Sequence, residues 1–235
     1  MRIAVIADVH GNLIALEAVL AHLRTAAPDL IVNLGDLVSG PFDPRGSADA
    51  QMALACPTVA GNHERQVLEG GAGVFDAIAR PLLSPSHLDW IGCLPSTLRL
   101  ADGGDLEYLL EDVSTGRARL ETEDAIRPRL EGSGEARVVL CGHTHVPRMA
   151  TLGGVLIVNP GSVGLPGYRG SDPVPHVMEA GTPHARYAVI DRSQGGWAAE
   201  LRAVPYDYEA AARQAERYGR PQTAQVVRSG WMPAA

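Results

Sequence analysis

RIAVIADVHGNLIALEAVL, residues 2–20, changes its period in the middle, and that change decides the fold class. Arg2 to Ala7 carries an unbroken apolar run, which fits a strand covered on both faces. From Leu13 onward the apolar residues Leu16, Leu20 and Leu23 fall at helical spacing, and Asn12 stands where an N-cap would accept a backbone N–H. Leu30 to Leu34 is a second buried run, introduced by Pro28 and closed by Gly35-Asp36. Strand, helix and strand in this order imply a parallel pair joined by a right-handed crossover.

The same reading extends down the chain. It predicts a helix over Ser47–Ala55, a strand over Thr58–Ala60 ending at Gly61-Asn62, and helical segments over Glu64–Ala79 and Pro85–Cys93. Thr97–Leu100 reads as extended, and Leu106–Asp112 and Glu121–Leu130 as acidic helices. Two more buried strands, Arg137–Cys141 and Val155–Val158, run into Gly142-His143-Thr144-His145 and Asn159-Pro160-Gly161-Ser162. Pro160–Pro183 is dense in glycine and proline and reads as a long loop. Arg186–Asp191 and Trp197–Val204 flank Gly195-Gly196 as a hairpin. Asp207 can cap a tail helix with Tyr208, Ala211, Ala212, Ala215 and Tyr218 on one face. The expectation is an α/β chain forming one domain over 1–235, with a helical tail from about 207.

Composition narrows the chemistry. At 235 residues, 46% hydrophobic and 20% charged, the chain has a globular balance that excludes disorder and coiled coils. No apolar run approaches a membrane span and no signal-peptide pattern precedes Arg2, so the expected location is cytoplasmic, without a membrane partner. The three cysteines, Cys56, Cys93 and Cys141, are far apart and read as reduced and mostly buried. All 20 basic residues are arginine, which rules out a Schiff-base lysine and a Walker-type phosphate loop. A net charge of -7 disfavours nucleic acid as a bulk partner, and a small anionic substrate would then need a metal.

Four polar clusters close four of these strands: Asp8-Val9-His10, Gly35-Asp36, Gly61-Asn62-His63-Glu64 and Gly142-His143-Thr144-His145. Ligands bind at that edge of an open α/β sheet, where loops distant in sequence converge. Carboxylate, carboxamide and imidazole without thiolate suit Mn, Fe, Ni or Zn. In D-x-H and H-x-H an extended backbone would put residues i and i+2 on one side, facing a shared ion. The glycines before Asp36, Asn62 and His143 permit tight turns and close backbone approach. Taken singly, each cluster has an ordinary explanation as a cap, a turn or a surface pair; four in this order do not.

The ordered set D-V-H-G-N, G-D-L-V-S-G, G-N-H-E, G-H-T-H and N-P-G-S resembles the calcineurin-like metallophosphoesterase family, and most closely its small bacterial phosphodiesterase branch, over residues 1 to about 205. The resemblance implies a four-layer α/β/β/α sandwich of two mixed sheets. It implies two divalent metal ions: one held by Asp8, His10 and His145, the other by Asn62 and His143, with Asp36 bridging. A hydroxide between the ions would attack phosphorus, and His63 would act as acid or stabilise the transition state, with Glu64 orienting it.

The sequence departs from the family in one place. A further second-metal histidine belongs between G-N-H-E and G-H-T-H, yet the only histidine there is His87, which reads as exposed on an amphipathic helix. The second site is therefore expected to be weakened, and a strand lost with that histidine would leave a sheet edge compatible with a homodimer. Arg65 and Arg148, beside two motifs, are candidates for substrate phosphate. His22 reads as a surface position; His176 and His184 lie in or beside the Gly/Pro loop, which could line or cover the substrate pocket, or else face solvent; Glu107, Glu111, Asp112, Glu121, Glu123 and Asp124 read as solvated helix faces. The expected function is a metal-dependent phosphodiesterase acting on a small phosphorylated metabolite or nucleotide. The alternatives are a catalytically impaired binding or scaffold protein of the same fold, which the missing histidine favours, and a phosphoprotein phosphatase.

Overall fold

The computed structural model describes residues 1–71, 73–97, 109–131 and 133–234. In chain order the elements are β1 (Arg2–Ile6), α1 (Leu13–Ala26), β2 (Leu30–Asn33), α2 (Pro44–Leu54), α3 (Asn62–Leu68), α4 (Val74–Ala79), α5 (Pro85–Gly92), β3 (Glu111–Asp112), β4 (Arg119–Leu120) and α6 (Glu123–Arg129). They continue with β5 (Val138–Leu140), β6 (Arg148–Leu152), β7 (Val155–Asn159), β8 (Gly167–Gly170), β9 (His176–Glu179), β10 (Ala185–Ser193), β11 (Gly196–Val204), α7 (Tyr208–Arg217) and α8 (Pro221–Ser229).

Two mixed sheets carry the fold. The first has the order β11-β10-β1-β2, with β1 parallel to β2 and antiparallel to β10. The second has the order β5-β7-β6, with β5 parallel to β7 and β6 antiparallel to it. Strand alternation builds the layers. Ala4 and Ile6 of β1 face Leu16, Val19 and Leu23 of α1, while Ile3 and Val5 face the other way, in one cluster with Val158, Leu156, Val138 and Leu140 of the second sheet. Val139 and Ile157 point outward again, onto Ile126 of α6. Helix, sheet, sheet and helix are thus stacked as the expected four-layer sandwich. Burial on both faces is why β1 reads as a continuous apolar run.

The tail adds two helices. Ala211, Ala212 and Ala215 of α7 are buried with Phe42 and Leu165, while Tyr218 stays outside the core. No helix among the described residues is long and apolar enough to cross a membrane.

Several local expectations change. Thr58–Ala60 makes only an isolated bridge from Thr58 to Asn33. The helix expected over Glu64–Ala79 is split into α3 and α4, because Gly70 and Gly71 take φ of +117° and +78°. Within the described part of Leu106–Asp112, Glu111 and Asp112 form strand β3, paired with β4 rather than helical. Residues 98–108, which hold Glu107 and most of the extended segment predicted over Thr97–Leu100, lie outside the described residues. Pro160–Pro183 is not all loop: β8 and β9 pair antiparallel within it, from Gly167 opposite Glu179 to Gly170 opposite His176. Strand β6 has no sequence expectation behind it. Of the cysteines, Cys141 is buried and Cys93 is exposed.

Candidate metal centre and active site

The sandwich brings the four polar clusters to one end of its sheets. Beyond β1 and β2 the two chains continue side by side: the N–H groups of Asp8, His10 and Gly11 donate to the carbonyls of Gly35, Asp36 and Leu37 at 3.0, 2.9 and 3.1 Å. The His143 N–H donates to Asp8 Oδ1 at 3.1 Å, and the His63 N–H to Asp36 Oδ1 at 3.1 Å. Asn62 Oδ1 lies 3.2 Å from His143 Nδ1. Asp8, His10, Asp36, Asn62, His63, His143 and His145 therefore converge.

The backbone that achieves this is not extended. Asp8, His10, Asp36, His143 and His145 all take positive φ, at 54°, 50°, 53°, 69° and 60°, and the other two non-glycine cases among the described residues, Ala27 and Ala55, are helix C-caps. Left-handed conformations in non-glycine residues cost of order 1–3 kcal/mol each and gather at functional sites. The extended backbone expected for D-x-H and H-x-H is absent. The pairs converge because both members turn left-handed, not because a strand aligns them.

The neighbouring glycines do what was expected. A Cβ on Gly35, itself at φ +93°, would strike the Gly61 backbone, and one on Gly61 would strike Asp36 Oδ1. The N-P-G-S segment braces the rest. Asn159 Nδ2 donates to the Gly142 carbonyl and to Thr144 Oγ1, each at 2.9 Å, and the Ser162 hydroxyl donates to the Asp8 carbonyl at 2.7 Å.

The donor set fits a divalent cation. His10 Nδ1 sits 2.7 Å from the Ser39 carbonyl and His145 Nδ1 2.6 Å from the Leu165 carbonyl, so each Nδ1 carries the proton and each Nε2 presents a lone pair. Those two Nε2 atoms face one another at 3.0 Å. Two lone pairs at that distance repel unless an electrophile lies beside both. Neither ring relieves this by protonation, since burial above all lowers His10 to about 4 and pushes His145 well below its usual range. Asp8 Oδ2 is buried without a hydrogen-bond partner, and the ligand atoms of Asp8, His10 and His145 all lie within 4.8 Å of one another. Burial, then the nearby Asp36, raises the Asp8 carboxyl well above the carboxylate range, a strain a cation would remove. For Asp36 burial also opposes ionisation, but His63, His10 and His143 outweigh it and hold its pKa down.

His63 Nδ1 lies 2.8 Å from Asp76 Oδ1, and its ring stands edge-on to His10 with centroids 5.2 Å apart. Asp76, wholly buried on α4, also accepts from the Ser39 hydroxyl at 2.5 Å and from the Gly73 N–H at 3.0 Å. Burial lowers the His63 pKa, but Asp36 and Asp76 more than reverse this and bring it to about 9. The partner that orients His63 is thus Asp76, which no sequence signal marked. Glu64, expected in that role, does something else. Its carboxylate accepts the N–H groups of Asp36, Leu37 and Gly61, each at 2.8 Å, and so clamps two of the converging loops together.

Other candidates have partners of their own. Arg65 is exposed beside Glu69, at 3.8 Å, and Arg148 Nε lies 3.3 Å from Glu111 Oε1 while its Nη2 donates to the Ala118 carbonyl. His87 is buried rather than exposed, with Nε2 2.9 Å from Asp49 Oδ1, and takes no part in the centre. His176 is also buried, and so is Glu111, on a strand rather than a solvated helix face. His22 Nδ1 is 2.7 Å from the Tyr187 hydroxyl.

Residues 1–180 match the model of the calcineurin-like phosphoesterase superfamily domain, and the chain belongs to that superfamily of phosphate-ester-cleaving, metal-dependent enzymes. The fold is similar to that of a metallophosphoesterase from Sphaerobacter thermophilus, at 22% identity over 98% of this chain and 99% of that one, with a TM-score of 0.71. It is similar also to a hypothetical protein of Pyrococcus horikoshii, at 17% identity over 99% of both chains and a TM-score of 0.68. In sequence the chain is 24% identical to an uncharacterised protein of Methanocaldococcus jannaschii over 242 residues, covering 89% of each.

Proposed function

We propose that the protein is a phosphodiesterase that uses two divalent ions to hydrolyse a small phosphorylated metabolite or nucleotide. The observation that carries this is the pair of facing imidazole Nε2 atoms of His10 and His145 at 3.0 Å, beside the unpartnered Asp8 Oδ2. Asp8, His10 and His145 would hold one ion, Asn62 and His143 the other, and Asp36 would reach both. When bound, the ions supply an acidified water and neutralise phosphate oxygens.

The chain's own groups account for the remaining chemistry. His63, kept protonated by Asp36 and Asp76, holds a proton at the edge of the centre for the departing alkoxide. Asp76 fixes its ring through Nδ1 and leaves the other nitrogen for that task. A diester rather than a monoester is favoured because Arg65 and Arg148 turn to Glu69 and Glu111, so neither is aimed at the extra charge of a monoester.

The test is hydrolysis of nitrophenyl phosphodiesters and monoesters with Mn, Ni, Co, Zn or Mg. Wild-type rates well above those of His63→Ala and Asp36→Ala, larger on diesters, are expected. Rates equal to both variants under every metal would move the assignment to a binding or scaffold role, the reading that the missing second-metal histidine supports.

A further inference from the structure

Hairpin β8–β9 carries a residue that no motif singles out. The Tyr168 ring stands edge-on to His145, with centroids 4.7 Å apart and planes at 67°, and to His143 at 6.1 Å and 65°. On its other side lies His176, at 6.2 Å and 73°. His176 is held in turn: it is buried, its Nδ1 is 2.7 Å from the Val174 carbonyl, and a side chain at Gly170 would run into its ring.

The hairpin itself has little freedom. The Val177 N–H donates to the Gly116 carbonyl at 3.0 Å, and the Glu179 carboxylate accepts from Arg117 at 2.6 Å and from the Met232 N–H at 2.9 Å. Arg169 donates to the Pro233 carbonyl. Tyr168 is thus mounted on a hairpin anchored at several points.

We infer that Tyr168 is a positioning residue for the metal centre, its ring fixing the planes of His143 and His145. The hydrogen bond from His145 Nδ1 to Leu165 sets the tautomer but leaves the imidazole able to swing about the N···O line. A ligand nitrogen binds well only when the ion lies in the ring plane, so a ring packed against the imidazole removes a freedom that binding would otherwise have to remove. One tyrosine touching both imidazoles of G-H-T-H couples the two candidate ion sites. The inference rests on the metal reading above.

The experiment is equilibrium dialysis with Mn2+ alone on wild type, Tyr168→Phe and Tyr168→Met, with circular dichroism in chelator to check the fold. Tyr168→Met keeps bulk without a ring and should bind Mn2+ about tenfold more weakly, the usual scale for losing a group that orients a ligand. Tyr168→Phe should stay within about twofold, because the ring and not the hydroxyl does the positioning. His176→Ala, which removes the backing along with the bond to the Val174 carbonyl, should weaken binding in the same direction and stands in if the methionine variant does not fold. Wild-type affinity in the ring-less and His176 variants, or an equal loss in Tyr168→Phe, overturns the inference. A wild-type protein that takes up no Mn2+ overturns the metal reading itself, which is a separate result.

Discussion

Glu64 shows how much one buried carboxylate can decide. It satisfies three backbone N–H groups that have turned away from any sheet or helix, and truncation would strand them. Glu64→Ala should therefore cost about 3 kcal/mol or more in urea unfolding, since each stranded buried donor costs about 1–3 kcal/mol. Loss of activity should follow, although Glu64 holds no ion, because Asp36 and Gly61 are both in the loops it joins. Asp76 is the contrasting case. Asp76→Asn removes one of the two charges that keep His63 protonated and the acceptor that fixes its ring, and kcat should fall about 10²-fold, the low end for general acid catalysis, with Mn2+ affinity unchanged. Unaltered kcat would take Asp76 out of the reaction. The candidate ligands could be singled out in the sequence because they come in short ordered motifs. Asp76 could not be, because it reaches His63 across a helix break and carries no spacing of its own.

At the scale of elements, the legible strands are β1, β2, β5 and β7, buried on both faces and apolar throughout, and the hairpin β10–β11, marked by its Gly195-Gly196 turn. The short hairpins were not legible. Strand β3 is two residues long, and its acidic sequence hides the fact that Glu111 points into the protein. Burial lifts the Glu111 carboxyl from 4.5 to about 7, against the attraction of Arg148 and Arg129. Folded Glu111 thus keeps its proton where the unfolded chain has lost it, so its contribution to stability is complete below pH 4.5 and is lost as pH rises toward about 7. For a shift of this size the full loss is about 3 kcal/mol. Glu111→Gln should flatten that part of the pH profile; an unfolding free energy with the same slope between pH 5 and 7 in both proteins would show that Glu111 ionises normally.

Over the whole molecule, the centre draws on widely separated parts of a chain folded into two sheets. Asp8 and His10 follow the first strand, His143 and His145 follow β5, and the loop after β7 braces both. An ion bound there ties the sheets together and should raise the unfolding temperature, with about 2.7 kcal/mol gained at a hundred times Kd. The two sites should differ. Asp8, His10 and His145 form a compact buried set, whereas the set proposed for the second ion, Asn62, His143 and Asp36, lacks the further histidine of the family pattern. Mn2+ titration should show one tight and one weaker step, and dialysis should strip the weaker ion first. Two equally retained ions would mean that another group completes the second site.

What the sequence by itself determined was the period of each long element and the order of the motifs, and hence the layered fold and the family. Local apolar spacing settles whether a segment is strand or helix, and buried strands tolerate little else. Only the tertiary structure decided that five candidate ligands take left-handed backbone, that Asp76 rather than Glu64 meets His63, and that Tyr168 backs two imidazoles. Those facts depend on which layers stack and how closely their loops approach, and no period along the chain records that.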